Sequence, residues 1–156
     1  MAKVERGAAI SRLHSAARLA RTALAGRLLD HGFYAGQDQI MLALDQTDGQ
    51  TPGQLATRLG VRPPTVTKTI NRLQTQGFLE KRASESDARQ AHVFLTDTGR
   101  DAIRSIEKSV RKTEKQALKG LDKKEQKALT KLLARVESNL TGIAVADVDD
   151  DFDTDD

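Results

Sequence analysis

Arg62, Thr65, Thr67, Lys68, Asn71 and Arg72 lie in one short stretch, 62–72, that contains no Asp or Glu. Their side chains donate hydrogen bonds or carry positive charge, which suits phosphate oxygens and the acceptors on base edges. A second group follows in the triplet D-A-R, where Asp87 and Arg89 sit within a polar run, Ala83 to Gln90. An arginine on a loop tip beside a reading helix is placed to enter a minor groove, where negative potential is concentrated. Asp87 is two residues away and is expected to brace that guanidinium through a paired contact. The chemistry on offer is polyanion recognition rather than bond-making.

Groups for catalysis are not assembled in the sequence. His14, His31 and His92 are far apart and fit no H-x-x-x-H or H-E-x-x-H spacing. There is no glycine-rich phosphate loop and no G-x-S-x-G elbow. The chain has no cysteine, which excludes disulfides, thiolate zinc sites and thiol redox sensing. No enzyme activity, cofactor or resident metal is therefore expected. The longest apolar run, Ile40 to Leu44, is far short of the ~20 residues of a membrane span, so a cytoplasmic protein with no membrane partner is expected.

Local signals position the polar groups. Thr51 and Gln54 form a T-x-x-Q capping box, and Pro52 fills the first helical position. Leu55 and Leu59 share a side, and Gly60 supplies the left-handed residue that ends the helix. Ala56, Gly60 and Val66 stand where two steeply crossing helices need a small residue, a turn glycine and an apolar lock. Pro63 and Pro64 open a second helix at positions that need no amide donor. On it Val66, Ile70 and Leu73 share the core face, while Pro64, Thr67, Lys68, Asn71 and Thr75 lie broadly opposite and Thr65 and Arg72 on the flank. Phe78 to Arg82 and Ala91 to Leu95 then read as the strands of a hairpin. Helix, turn, helix and wing form one DNA-reading module.

Helices flank that module. Ile10, Leu13, Ala17, Ala20, Leu24 and Leu28 mark an apolar stripe over 8–29, and a shorter helix over 36–45 carries Ile40, Met41 and Leu44 inward. A long helix from Thr98 turns Ile103, Ile106 and Val110 inward, Gly120 breaks it, and D-x-x-E at Asp122 and Glu125 starts the last one. That helix carries Leu129, Leu132, Leu133, Val136 and Leu140. Either these terminal stripes pack on each other within one chain, or a two-fold partner buries both. The fold expected is mainly α: a winged helix-turn-helix with a two-stranded wing and long terminal dimerisation helices. The divisions are 1–34 (N-terminal dimerisation helix), 35–97 (DNA-binding domain), 98–142 (C-terminal dimerisation helices) and 143–156 (acidic, disordered tail).

Charge is divided in the same way. Seven of the 22 acidic residues are Asp in 147–156, leaving 15 against 25 basic side chains in the rest of the chain. A body that basic is the electrostatic footprint of a duplex binder. The tail reads either as a solubilising segment or as an anion that competes with weakly held DNA.

The stretch resembles the winged-helix domain of the MarR family, the multiple-antibiotic-resistance type of bacterial regulator. The resemblance rests on L-A-T-R-L-G-V (55–61), P-P-T-V-T-K (63–68), R-L-Q-T-Q-G-F-L (72–79), the D-A-R of the wing and L-T-D-T-G-R (95–100), with flanking helices over roughly 8–142. It implies a homodimeric, double-strand-specific transcription regulator, in this family most often a repressor, on a pseudo-palindromic operator. Thr65, Thr67 and Lys68 would be base or phosphate contacts and Arg89 the wing finger. Arg62 departs from the family's usual Ser or Asp cap and would serve as a phosphate contact. A small-molecule effector is implied too, with His14, Phe33, Tyr34 and Met41 as pocket residues, unless they are ordinary core. The alternative function is a winged-helix assembly module whose basic face meets an acidic protein. RNA binding is disfavoured, since one Tyr and four Phe form no stacking cluster.

Overall fold

The computed structural model describes Lys3, residues 5–87 and residues 89–142. The acidic tail expected over 143–156 and the wing-tip Ala88 lie outside the described residues. Six helices and two strands follow in order: α1 (Ala8–Leu29), α2 (Gln37–Gln46), α3 (Pro52–Leu59), α4 (Pro63–Thr75), β1 (Leu79–Ala83), β2 (Ala91–Leu95), α5 (Asp97–Ala117) and α6 (Lys123–Thr141). The chain divides into two compact units between Glu114 and Lys115.

The first unit is built round a core from α1, α2, α3, α4, the hairpin and α5. Leu28, Phe33, Ile40, Met41, Leu44, Leu55, Val66, Ile70, Leu73, Leu79, Val93, Leu95, Ile103 and Ile106 are buried there. β1 and β2 pair antiparallel, with Leu79 opposite Leu95 and Ala83 opposite Ala91. Gln50 adds a single antiparallel bridge to Val93, its carbonyl accepting from the Val93 N–H at 2.8 Å. The buried Gln50 side chain donates to Ala43 and Thr47 carbonyls, tying the end of α2 to the wing.

The wing's first strand starts one residue later than the sequence suggests, at Leu79 rather than Phe78. Phe78 is taken up in ending α4. Its N–H reaches the Leu73 carbonyl and that of Gly77 reaches Gln74, both at 3.0 Å, with Gly77 at φ 85. That is the paired bonding of a Schellman end, which leaves Phe78 to pack inward. Its ring lies 4.8 Å from that of Phe33.

α5 is joined to the hairpin by a cap. Thr96 Oγ1 accepts from the Gly99 N–H at 3.0 Å and donates to the Gly77 carbonyl at 2.6 Å. Gly99 is required by a close approach rather than by an unusual torsion: a Cβ there would stand 2.2 Å from the Phe78 carbonyl oxygen. Along α5, Ile103 and Ile106 are buried as expected, but Val110 is only half-buried and Ser109 and Thr113 are buried instead. The Thr113 hydroxyl accepts from Arg27 of α1 at 3.0 Å, so a polar pairing occupies that part of the helix.

On α1 only Leu28 is buried, and Ile10 and Leu19 are exposed. The second unit holds the end of α5 and α6. Asp122 and Glu125 form the expected capping box, and Gly142 ends α6 in the left-handed region. No residue of α6 is buried; its leucines at 129, 132, 133 and 140 are exposed.

Candidate nucleic-acid interface

α3 and α4 meet through the turn that the sequence marks. Thr51 Oγ1 accepts from the Gln54 N–H and Gln54 Oε1 from the Thr51 N–H, at 3.1 and 2.9 Å. Gly60 is left-handed, and the Val61 N–H reaches the Ala56 carbonyl at 3.1 Å. Pro63 and Pro64 occupy the first two positions of α4, and Arg62 before them makes no side-chain cap bond. The carbonyl of Arg62 still accepts from Thr65 and Val66, so the backbone is satisfied while the guanidinium stays exposed.

Val66, Ile70 and Leu73 are buried, which fixes the rotation of α4 about its axis. Arg62, Pro64, Thr65, Thr67, Lys68, Asn71 and Arg72 are all exposed. At about 100° per residue, Lys68 points almost directly away from the core, and Asn71 and Arg72 stand roughly 130° from it on opposite flanks. Each flank is braced from outside the helix. The Arg72 guanidinium lies over the Tyr34 ring, 5.0 Å from its centroid. On the other side the Lys81 ammonium donates to Asn71 Oδ1 at 2.8 Å.

The end of α4 is tied to the α1–α2 junction by amides. Gln37 Nε2 donates to Gln76 Oε1 at 2.8 Å, and Gln76 Nε2 donates to the Gly32 carbonyl at 3.1 Å. Gln37 Oε1 accepts from the Tyr34 N–H at 2.9 Å, so this glutamine, 1% exposed, has both ends of its amide engaged. Neither Gln37 nor Lys81 stands out in the sequence as a site residue. For Lys81 a signal exists: strand alternation places it on the same side of β1 as buried Leu79.

On the other side of β1, Arg82 pairs with Glu80 and lies over the Phe94 ring, 4.3 Å from its centroid. The turn from Ser84 to Gln90 closes with the Ser84 N–H on the Gln90 carbonyl at 2.9 Å. Asp87 Oδ1 accepts from the Arg89 backbone N–H at 2.9 Å. Its observed bond is thus to the loop's backbone rather than the guanidinium brace expected, and the Arg89 side chain is exposed at the wing tip.

The remaining groups divide into core and surface. Phe33 and Met41 are fully buried in the core, Tyr34 is half exposed beneath Arg72, and His14 is exposed on α1. His92 Nδ1 is bonded to the Gly49 carbonyl at 2.9 Å. Among the described residues no three His, Cys, Asp or Glu side chains gather as metal ligands. Asp38, near the start of α2, is buried, and desolvation pushes its carboxyl above the ordinary value of 3.8 against the pull of the Asp38, Gln39 and Gly36 backbone groups.

Comparison with known proteins agrees with this geometry. The sequence profile of the MarR family matches residues 37–90, the span from α2 to the wing tip. A MarR transcriptional regulator from Methanosarcina mazei Go1 superposes with a TM-score of 0.82 at 18% identity, covering 89% of this chain and 93% of that one. A probable transcriptional regulator from Pseudomonas aeruginosa gives 0.73 at 26% identity, over 80% and 92%. A mutant MarR from E. coli, solved in complex with operator DNA, gives 0.76 at 22% identity, over 85% and 99%. The winged helix and its flanking helices are therefore shared with solved MarR-family structures, and the matched family is one of transcriptional regulators rather than enzymes.

Proposed function

We propose that this chain, whose residues 37–90 match the MarR-family profile, is a homodimeric, sequence-specific regulator of transcription that binds double-stranded DNA in the cytoplasm. One observation carries the reading: α4 buries Val66, Ile70 and Leu73 while its acid-free opposite face stands exposed beside a wing that carries Arg89. α4 is long enough to lie in a major groove, and positive side chains at both ends and on the wing meet phosphate on either side. The operator in the E. coli complex supports duplex DNA as the partner. Arg62 and Arg72 are assigned to phosphate, Pro64, Thr65, Thr67, Lys68 and Asn71 to the groove, and Arg89 to the flanking minor groove, with Asp87 holding the backbone of its loop.

The dimer is supported by the leucines of α6 and by Ile10 and Leu19 of α1, large apolar side chains that a single chain leaves in water. Repression follows from occupying an operator, and an effector acting near Tyr34 would bear on α4 through Arg72. Selection from random duplexes with the full chain, followed by sequencing, tests the reading. The expected product is a pseudo-palindrome with half-sites ~10 base pairs apart. Equal recovery of all sequences, or binding only to acidic proteins, would overturn it.

A further inference from the structure

We propose that Lys81, on the first strand of the wing, sets the base preference of the reading helix by fixing which edge of Asn71 faces DNA. The inference rests on the DNA-binding reading above. A lysine ammonium carries only donors, so the atom of Asn71 that it meets at 2.8 Å must be the carboxamide oxygen. The orientation of the amide is thereby decided by chemistry. With Oδ1 held toward the wing, Asn71 presents its NH2 group, which has no partner among the described residues, at the exposed face of α4.

That edge has consequences for recognition. An asparagine reads adenine with both amide atoms, Oδ1 accepting from N6 and Nδ2 donating to N7. With Oδ1 turned to the wing and its acceptor strength shared with the ammonium, the paired adenine contact is weakened, and the free donor half favours acceptors such as guanine O6 and N7 or thymine O4. The bond between Lys81 and Asn71 is weak while both are in water. It strengthens when DNA excludes that water, which is when discrimination is decided. Lys81 reaches Asn71 because β1 alternates from buried Leu79, so the wing acts on specificity through the helix as well as through its own tip. Lys81 is a positioning residue here, and Asn71 makes the contact.

Selection on random duplexes is run with the full-length wild type, Lys81→Met, Lys81→Arg, Asn71→Ala and the Lys81→Met/Asn71→Ala pair. Lys81→Met keeps the unbranched apolar stem of the side chain and removes the donor. In one column of each half-site, the wild type should favour guanine or thymine. Lys81→Met should raise adenine there by about 5-fold or more, the lower end for one bidentate base contact. Lys81→Arg, which keeps a donor, should retain the wild-type column. Asn71→Ala should flatten that column and make Lys81→Met silent in it, the coupling that a double-mutant comparison detects. An unchanged column in Lys81→Met overturns the inference. So does a uniform loss on operator and random DNA with a salt slope lower by ~1, which marks Lys81 as a phosphate contact only. If the wild type enriches no sequence, the DNA-binding reading itself fails and this inference with it.

Discussion

Leucine is used in opposite ways in the winged module and in α6. Leu55, Leu73, Leu79 and Leu95 of the module are at most 2% exposed, whereas Leu129, Leu132, Leu133 and Leu140 of α6 are 36% exposed or more. The module also closes its polar accounts internally: Gln37, Gln50, Gln76 and Thr96 each bond across elements. α6 is a well-capped helix none of whose apolar side chains is buried. Complete burial of an exposed leucine is worth about 1.5–3 kcal/mol, and each of these forgoes the share it leaves in water. One region is explained by its own chain. The other finds its cover only in the proposed dimer, on a surface that a second copy would supply.

The sharpest way to break that contrast is to make the α6 stripe polar. Leu132→Glu combined with Leu133→Glu should convert a dimer into a monomer, read by sedimentation, without lowering the melting temperature of the winged module. Losing the linked second half-site should weaken operator binding by ~100-fold or more, since linkage adds about 10²–10⁴ to the affinity of one module. A variant that remains dimeric and binds normally would show that these leucines are not the interface.

Within the closed region, the joint between wing and α5 is the place to strike. Gly99→Ala sets a Cβ 2.2 Å from the Phe78 carbonyl, a backbone atom held by the Thr96 N–H at 3.0 Å and unable to swing aside. Overpacking of this kind costs about 1–3 kcal/mol or more. Thermal melting should fall by several degrees while the oligomeric state is kept. A melting temperature equal to that of the wild type would mean that the wing is not rigidly seated on α5.

What could be read in advance divides along the same contrast. The Thr51–Gln54 box, Pro63, Pro64 and Gly60 act within four residues of themselves, so α3, α4 and the turn between them were legible. β1 starts one residue later than the strand pattern suggests because Phe78 serves the helix end, where the 6→1 bond to Leu73 outweighs its strand propensity. Lys81, Gln37 and Tyr34 matter through partners on other elements, at Asn71, Gln76 and Arg72; strand alternation gives the side of β1 on which Lys81 lies, but no spacing along the chain names these partners. Glutamine ordinarily reads as surface, yet Gln37 is buried because both ends of its amide are satisfied. For α1 and α6, periodicity shows that a helix has an apolar side but not what covers it. The pocket residues inferred by resemblance, His14, Phe33, Tyr34 and Met41, fall on exposed, buried, half-exposed and buried positions, so they are not all of one environment.

A smaller effect is expected at the tip of the wing, which belongs to the module but extends beyond its core. Arg89→Ala should weaken operator binding by about 1–3 kcal/mol, the cost of a lost charged groove contact, with dimer and melting temperature unchanged. Titration against the selected operator at moderate salt measures it. Unchanged affinity would confine DNA reading to α4.

The smallest effect tests how completely the module compensates its own buried charge. Asp38 has its carboxyl raised above 3.8 mainly by desolvation, with three backbone groups opposing. Between the ordinary value and the raised one, the folded chain binds more protons than the unfolded chain, so stability falls as pH rises through that window. Above the raised value the carboxylate is ionised in both states and the desolvation penalty is present in full. Asp38→Asn removes the charge and keeps an acceptor for the amides at the start of α2. It should melt slightly higher than the wild type at pH 7. That gap should close as pH drops below the ordinary carboxylate range, where Asp38 is protonated in both states. A variant that is less stable at pH 7 would show that the backbone amides of Gly36, Asp38 and Gln39 outweigh burial, and that even this charge is fully accommodated by the module.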